Sequence, residues 1–215
     1  MTNSGLECWD EERIPPGGTD AARGRRRKVL PVALMLTDSS EQLSWPLSRY
    51  ASKHVTFIHR DHWNLPEGDY ACLLTADASV DLLAQVHADN ERPAAIRMEA
   101  LAIREAAAST CLIERKSLPD FVSTVTVGHD RFADECERSR VYGRFVIIVE
   151  ADPHQIRDYC EGRGTKYRSV MGAAHFLFAR GFPIYWAGDR VTAAAAAYRI
   201  MECWARDRAH GKASS

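Results

Sequence analysis

The order of apolar and polar residues predicts β-strands in the first half of the chain. Apolar residues alternate with polar ones, or form short runs, in four segments: 32–37, 54–58, 69–75 and 110–115. This spacing is typical of strands, because successive side chains of a strand point to opposite faces. The last two segments are separated by 76–109, which is rich in helix-forming residues and predicts a helical insertion between two strands.

The second half alternates between helical and strand patterns. Helices are predicted at 118–125, 130–142 and 168–180, strands at 145–149 and 183–187, and a last helix from Asp189 or Thr192. In the last helix one apolar stripe should face the sheet. The stripe is Val191, Ala194, Ala195, Tyr198, Met201 and Trp204. Together these elements predict an α/β fold with a mixed central sheet flanked by helices.

The beginning of the chain has a different composition. Residues 1–28 contain Pro15-Pro16-Gly17-Gly18 and little apolar periodicity, which predicts a flexible leader before a domain at 29–207 and a disordered tail at 208–215. The leader ends in a basic cluster, Arg23 to Lys28. This cluster either follows a phosphate backbone or is simply solvated.

Composition bounds the class of protein. A length of 215 residues with 46% hydrophobic residues suits one domain with a sizeable core. No stretch approaches about 18 uninterrupted apolar residues, and the start does not resemble a signal peptide. We therefore expect a cytoplasmic protein without membrane contact. In a bacterium or phage we expect it to be associated with the nucleoid. The six cysteines lack metal-ligand spacing, which favours reduced thiols. A net charge of −1 leaves only local attraction to nucleic acid.

The tripeptide Glu114-Arg115-Lys116 carries the candidate chemistry. It ends the strand at 110–115, so Glu114 and Lys116 should share one face while Arg115 points to the other. A carboxylate such as Asp69 on a neighbouring strand would complete a pair of hard oxygen ligands for Mg²⁺ or Mn²⁺, with the lysine beside the attacking water. This combination is typical of metal-dependent phosphodiester hydrolysis.

A longer series of motifs strengthens this interpretation. The segments are Asp38 to Gln42, Leu65 to Tyr70, Glu114 to Asp120, Arg131-Phe132, Arg168 to Ala173 and Pro183 to Arg190. Their order resembles the XPF-type nuclease domain of structure-specific DNA-repair endonucleases, whose signature is Gly-Asp-x(n)-Glu-Arg-Lys-x-x-x-Asp. The later segments are similar to stand-alone phage and bacterial members, and the resemblance covers about 31–206.

The resemblance implies a restriction-endonuclease-like fold and a set of site residues. Asp69, Glu114 and the main-chain carbonyl of Arg115 would ligate the metal, and Lys116 would orient or activate the nucleophilic water. Asp38, Glu41 and Asp120 match acidic family positions and would line the same pocket. Two departures from the family's pattern leave questions open. Ser40 stands where the family usually has Arg. The long insertion could also displace Asp77 into the site in place of Asp69.

Candidate DNA contacts are basic residues near these motifs. They are Arg115, Arg131, Lys166 and Arg168, the last two in a glycine-containing basic segment at 161–168. The tetrapeptide His59-Arg60-Asp61-His62 could offer metal ligands, but its polarity favours a solvated loop.

The sequence therefore predicts a divalent-metal-dependent DNA endonuclease that cuts branched, flap or fork DNA. The alternatives are a catalytically inactive nuclease-fold module that binds DNA or a partner, and a metal phosphodiesterase acting on RNA or small substrates. The sequence carries no helix-hairpin-helix pair, so affinity would come from the domain itself, a homodimer or an accessory DNA-binding protein. Tyr198, Ile200, Cys203 and Trp204 place apolar residues on more than one face of the last helix, which favours a homodimer.

Overall fold

The computed structural model describes residues 30–79, 83 and 101–211. The predicted leader and most of the predicted insertion, 80–82 and 84–100, lie outside the described residues. At the end of the insertion, residues 101–105 are helical and Ala107–Ser109 forms a short 3₁₀ helix. In the described part of the insertion, the predicted helical character is thus visible at Leu83 and at the end of the segment.

Within the described residues, six strands form one mixed sheet. They are β1 Val32–Asp38, β2 Thr56–Trp63, β3 Tyr70–Leu74, β4 Cys111–Lys116, β5 Arg144–Val149 and β6 Ile184–Trp186. Their order across the sheet is β2-β1-β3-β4-β5-β6. β3 runs antiparallel to both β1 and β4, whereas β1 with β2, β4 with β5, and β5 with β6 are parallel. The predicted mixed sheet is confirmed.

Strand β2 is longer than the sequence predicts. The tetrapeptide His59-Arg60-Asp61-His62, expected to be a solvated loop, belongs to β2, in which Arg60 pairs in parallel with Leu36 of β1. After an irregularity in the register the pairing resumes with Trp63 opposite Asp38. β2 is the terminal strand of the described sheet, so its polar side chains stay partly accessible without breaking the ladder. Trp63 at its end is only 2% exposed and anchors the strand in the core.

Apart from the helical residues 101–105, five α-helices accompany the sheet in the part of the chain that the structure describes. They are α1 Leu118–Thr126, α2 His129–Arg138, α3 Pro153–Glu161, α4 Tyr167–Ala179 and α5 Arg190–Ala209. The first and last begin as predicted, because the Ser117 side chain caps α1 and the Asp189 carboxylate accepts from the Thr192 N–H at 2.8 Å. Helix α2 ends before residue 142, and a short 3₁₀ helix, Ser139–Val141, follows it.

Helix α3 is not among the helices predicted from the sequence. Its start carries a capping box, in which the Asp152 carboxylate accepts from the Gln155 N–H at 2.9 Å and the Gln155 side chain accepts from the Asp152 N–H at 2.7 Å. Pro153 occupies the first helical turn, where its missing N–H costs nothing. Only Ile156 and Cys160 are buried, so the apolar stripe was too short to detect.

Both faces of the sheet are covered. On one face, buried residues of α1 to α4 pack against the strand positions Leu34, Leu73, Leu112 and Ile147. On the other face α5 packs against Met35, Cys72, Ile113 and Ile148. Adjacent strand residues enter opposite clusters, as the strand period of two requires. The direction in which the polar side chains at the ends of β3 and β4 point therefore decides on which face of the sheet a site can lie.

Helix α5 buries most of its predicted stripe. Ala194, Tyr198, Met201 and Trp204 are buried, but Val191 in the first turn is 71% exposed. The helix continues to Ala209, and the Arg208 Nε donates to Asp77 at 2.5 Å, so this part of the predicted tail is helical. Residues 212–215 lie outside the described residues. No described helix combines the length and apolar character needed to cross a membrane.

Candidate active site

Asp69 is fixed by its backbone at the start of β3. Its N–H donates to the Ile113 carbonyl at 2.9 Å, and its own carbonyl accepts from the Asp38 N–H at 2.8 Å. The preceding Gly68 has a φ of 73°, and a Cβ there would lie 3.2 Å from the Ile113 carbonyl oxygen. Glycine suits both the conformation and the close approach. Asp69 is thereby tied to β1 and β4.

The carboxylate of Asp69 faces the start of the Glu114-Arg115-Lys116 motif. Its Oδ2 accepts a hydrogen bond from the Arg115 backbone N–H at 2.7 Å. Asp77, the alternative considered from the sequence, instead pairs with Arg208. The structure therefore brings Asp69, and not Asp77, next to the motif.

Glu114 and Lys116 share one face of β4, as the strand period predicts. The Lys116 Nζ donates to the Glu114 Oε1 and lies 3.7 Å from the Asp120 Oδ2. It also lies 5.1 Å from the centre of the Phe132 ring of α2. Glu114 is only 4% exposed, whereas the Asp120 side chain is 54% exposed. From the core toward solvent, the order is therefore Glu114, Lys116 and Asp120.

Poor solvation disfavours a negative charge on both inner carboxylates, Asp69 and Glu114. Desolvation raises the pKa of Asp69 to about 7, against the lowering effects of the Arg115 N–H and the Lys116 charge. Desolvation, followed by the charge of Asp69, raises the pKa of Glu114 well above its usual range. Burial alone would lower the pKa of Lys116, but the charge and hydrogen bond of Glu114 raise it. One lysine therefore offsets only part of the charge of two close carboxylates.

The donor set of this site fits a hard divalent cation. Nearby carboxylates raise the pKa of each group, Asp69 that of Glu114 and Glu41 with Asp38 that of Asp69, so both groups gain from a nearby positive charge. Carboxylate oxygens are preferred ligands of Mg²⁺ and Mn²⁺. Among the described residues, no group of three or more His, Cys, Asp or Glu side chains is arranged to hold a metal. Mg²⁺ commonly uses one or two carboxylates, with waters and substrate phosphate completing the shell. Asp69 and Glu114 match that need.

Arg115 points to the opposite face and is held by two carboxylates. Its Nη1 donates to the Glu41 Oε1 at 3.0 Å, and its Nε and Nη2 donate to Glu150 at 2.8 and 3.0 Å. The side chain is 10% exposed. These hydrogen bonds differ from the expected DNA contact, because the guanidinium would have to leave Glu41 and Glu150 to reach a phosphate.

Sequence reasoning missed the role of Glu150 as a common acceptor. Besides Arg115, it accepts from the Trp45 Nε1 at 2.7 Å and from the Arg190 Nη1 at 3.1 Å. Burial would raise the pKa of Glu150, but the hydrogen bonds of Arg115 and Trp45 lower it. A carboxylate directly after the buried strand β5, beside the motif strand, was the available signal. Glu150 joins β4, β5, the loop at Trp45 and the start of α5.

Asp38 is occupied by local hydrogen bonds. Its Oδ2 accepts from the Ser40 N–H at 2.9 Å and from the Ser40 hydroxyl, and its Oδ1 accepts from the Leu65 N–H at 2.8 Å. Ser40, which replaces the family Arg, therefore stabilises the turn after β1. Through its backbone N–H, Asp38 also holds the Asp69 carbonyl. Asp38 thus positions the loops around Asp69.

The other expected DNA contacts lie at the surface. Arg131 on α2, and Lys166 and Arg168 at the start of α4, are all exposed. Nearby, Arg163 stacks on Tyr159 at 4.0 Å and Arg157 on Tyr167 at 5.0 Å. The segment around α3 and α4 therefore combines accessible cations with aromatic rings.

Comparison with known protein families identifies the family to which this chain belongs. The profile of the ERCC4 domain matches residues 61–199, a range that contains Asp69, the Glu114-Arg115-Lys116 motif and Asp120. The chain belongs to the ERCC4 domain family. The XPF-type nuclease domain predicted from the motifs is thereby confirmed, and with the mixed sheet so is the expected fold class.

Two solved structures are similar to this chain. XPF from Aeropyrum pernix shares 20% sequence identity at a TM-score of 0.46, covering 82% of this chain and 65% of that chain. The same protein in complex with DNA shares 21% identity at a TM-score of 0.46, covering 86% of this chain and 68% of that chain. The chain thus spans about two thirds of the length of these structures. No curated protein sequence matches it.

Proposed function

We propose that this ERCC4 domain is a divalent-metal-dependent endonuclease that hydrolyses phosphodiester bonds in DNA, with branched, flap or fork DNA as substrate. One observation carries the proposal: two poorly solvated carboxylates, the buried Glu114 and the half-buried Asp69, lie beside a single lysine, Lys116, that offsets only part of their charge. Poorly solvated like charges repel each other, so a bound divalent cation would stabilise this arrangement in its charged form. Metal-dependent hydrolysis would account for this arrangement of Asp69, Glu114 and Lys116.

The chain's own residues have distinct roles in this mechanism. Asp69 and Glu114, with the Arg115 carbonyl, would hold Mg²⁺ or Mn²⁺. When bound, such a cation polarises the scissile phosphate and lowers the pKa of a water. Lys116 stabilises the negative charge that develops on the phosphorus oxygens, and the stacking of its ammonium on Phe132 keeps it at the site. Asp120, 3.7 Å from Lys116, orients that ammonium from the solvent side.

Exposed cations would bind the DNA backbone. Arg131, Lys166 and Arg168 are the proposed phosphate contacts, and Arg115 instead supports the site from the opposite face. A homodimer remains part of the proposal, although Tyr198 and Trp204 are buried within their own chain and are unavailable for an interface. An accessory DNA-binding protein is the alternative source of affinity.

A cleavage assay tests the proposed function. The full chain is incubated with labelled fork, flap, linear duplex and single-stranded DNA, and with RNA of the same sequence, in Mg²⁺, in Mn²⁺ and in EDTA. We expect cleavage of the branched DNAs in Mg²⁺ or Mn²⁺, none in EDTA, and none by the Glu114→Gln variant. Binding of fork DNA without cleavage in any metal would indicate an inactive nuclease-fold module. Preferential cleavage of RNA would indicate a different phosphodiesterase.

A further inference from the structure

A buried glutamate next to the Asp69 loop holds two exposed arginines. The Glu67 side chain is 5% exposed, and its Oε2 accepts from the Tyr142 hydroxyl at 2.9 Å. Its Oε1 lies 3.4 Å from the Arg138 Nε and 3.7 Å from the Arg104 Nη2. Each of these arginine side chains is 57% exposed. We call Arg104 and Arg138 the arginine pair.

The arginine pair keeps unused hydrogen-bonding capacity. Each guanidinium carries five N–H donors, and the two groups share one oxygen of Glu67 at long distances. One carboxylate leaves the group of three with a net positive charge. Because Glu67 is buried and also bonded to Tyr142, it fixes where the two guanidiniums lie while their outer edges face solvent. Oriented guanidiniums with free edges suit a phosphate, which they bind bidentately.

The position of the pair relates it to the site already described. Glu67 is two residues from Asp69, so their Cα atoms are at most about 7 Å apart. Arg138 follows Phe132, the ring under Lys116, by six residues on α2, or about 9 Å along the helix. Tyr142 and Phe132 pack in the same cluster as Leu112, on the β4 face that carries Glu114. The arginine pair therefore lies on the same side of the sheet as the carboxylates.

We propose that the arginine pair, held by Glu67, binds a backbone phosphate of the DNA strand next to the phosphate that is cut. This inference rests on the proposed function for the identity of the strand. Since phosphate contacts fix the register of a nucleic acid, the pair would set where the strand lies relative to Asp69 and Lys116. It reads no base and so adds no sequence preference.

Salt-dependent binding tests the arginine pair directly. A labelled fork DNA is titrated with the full chain in EDTA, which prevents cleavage, at several salt concentrations. The double variant Arg104→Gln/Arg138→Gln keeps amide donors for Glu67 and removes both charges. We expect the slope of log affinity against log salt to become shallower by about 0.9, the contribution of one duplex phosphate contact. The double variant Arg104→Lys/Arg138→Lys should restore the slope.

A nearby arginine provides the matched control. Arg140 carries the same charge, is 47% exposed and pairs with a surface glutamate, Glu137. Arg140→Gln should leave the slope unchanged, and melting curves of all variants check that each is folded. An equal loss in Arg140→Gln, or an unchanged slope in the folded double glutamine variant, would overturn the proposal.

The same experiments separate this inference from the proposed function. If the wild-type chain cleaves DNA but the double glutamine variant keeps the full slope, only the arginine pair is rejected. If the wild-type chain binds DNA with a slope that the double variant loses, yet never cleaves, only the proposed nuclease activity is rejected. A wild-type chain that does not bind the fork DNA would reject both.

Discussion

The backbone N–H of Arg115 donates to the Oδ2 of Asp69 at 2.7 Å, so one residue of the motif orients the carboxylate on the neighbouring strand. The Arg115 side chain leaves on the opposite face, where Glu41 and Glu150 hold it. We call Glu150 and its donors Trp45, Arg115 and Arg190 the Glu150 cluster. A shift of β4 would therefore disturb Asp69 and the Glu150 cluster together. This connection explains how a site split by a long insertion keeps its geometry.

The carboxylate pair should be indispensable for turnover. We expect Glu114→Gln and Asp69→Asn each to reduce cleavage of fork DNA by about 10²–10³-fold or more, since each removes a charge that acts in the transition state. The control is Glu137→Gln, which changes a surface carboxylate and should cleave like the wild-type chain. Cleavage rates at saturating Mg²⁺ measure the effect. Substantial Mg²⁺-dependent activity in Glu114→Gln would contradict the assignment.

Asp69 should make the metal-free protein less stable as the pH rises. Its pKa is about 7 in the folded chain against 3.8 for an unperturbed carboxyl group, so between these values the folded state binds more protons than the unfolded state. Stability then falls with increasing pH across that window. Asp69→Asn removes the charge, and at about pH 8 it should be more stable than the wild type by about 2–4 kcal/mol.

Urea unfolding in EDTA at several pH values measures this difference. Near pH 4 the two proteins should have nearly the same free energy of unfolding, because Asp69 is then largely protonated in the folded wild type. The raised pKa of Glu114 acts in the same direction and remains in both proteins. An Asn variant that is less stable than the wild type at high pH would show that the Asp69 charge is well solvated or paired in the fold.

The local parts of this site could be predicted from the sequence. The predicted strand at 110–115 nearly coincides with β4, and the period of two correctly put Glu114 and Lys116 on one face. The fold class followed from apolar runs in the same way. Helix α3 could have been predicted too, because its start signal at Asp152 is local, although its apolar stripe is short.

Other parts depend on contacts that no local pattern contains. Trp45 and Glu150 are 105 residues apart in the chain, and they meet because Trp45 stacks on Tyr70 of β3 while Glu150 directly follows β5 in the same sheet. Glu67 and Tyr142 are 75 residues apart. The sequence shows each as a single polar or aromatic residue. The register of strands and helices, which arises from the packing of the whole core, decides which of them meet.

Lys116 should act on the chemical step more than on binding. Lys116→Ala is expected to lower the cleavage rate at saturating DNA and Mg²⁺ by about 10²–10³-fold while fork DNA affinity changes little, because the charge is needed most as negative charge develops. Lys116→Arg, which keeps the charge, should recover part of the rate. Single-turnover rates and binding constants separate the two effects. A variant that only binds more weakly would make Lys116 a phosphate-positioning residue.

Glu150 should stabilise the fold around the site. Glu150→Gln leaves one acceptor oxygen for the donors of Trp45, Arg115 and Arg190, and the Arg115 side chain is only 10% exposed. Because a partly unpaired buried cation is costly, we expect the free energy of unfolding to fall by about 2–4 kcal/mol.

Denaturant unfolding measures this loss, and Glu137→Gln is the control. The Glu137 carboxylate also pairs with two arginines, Arg140 and Arg180, but at the surface. Surface pairs contribute little, so Glu137→Gln should unfold like the wild type. Equal free energies of unfolding for Glu150→Gln and Glu137→Gln would mean that the Glu150 cluster is as well solvated as the ion pairs of Glu137 at the surface.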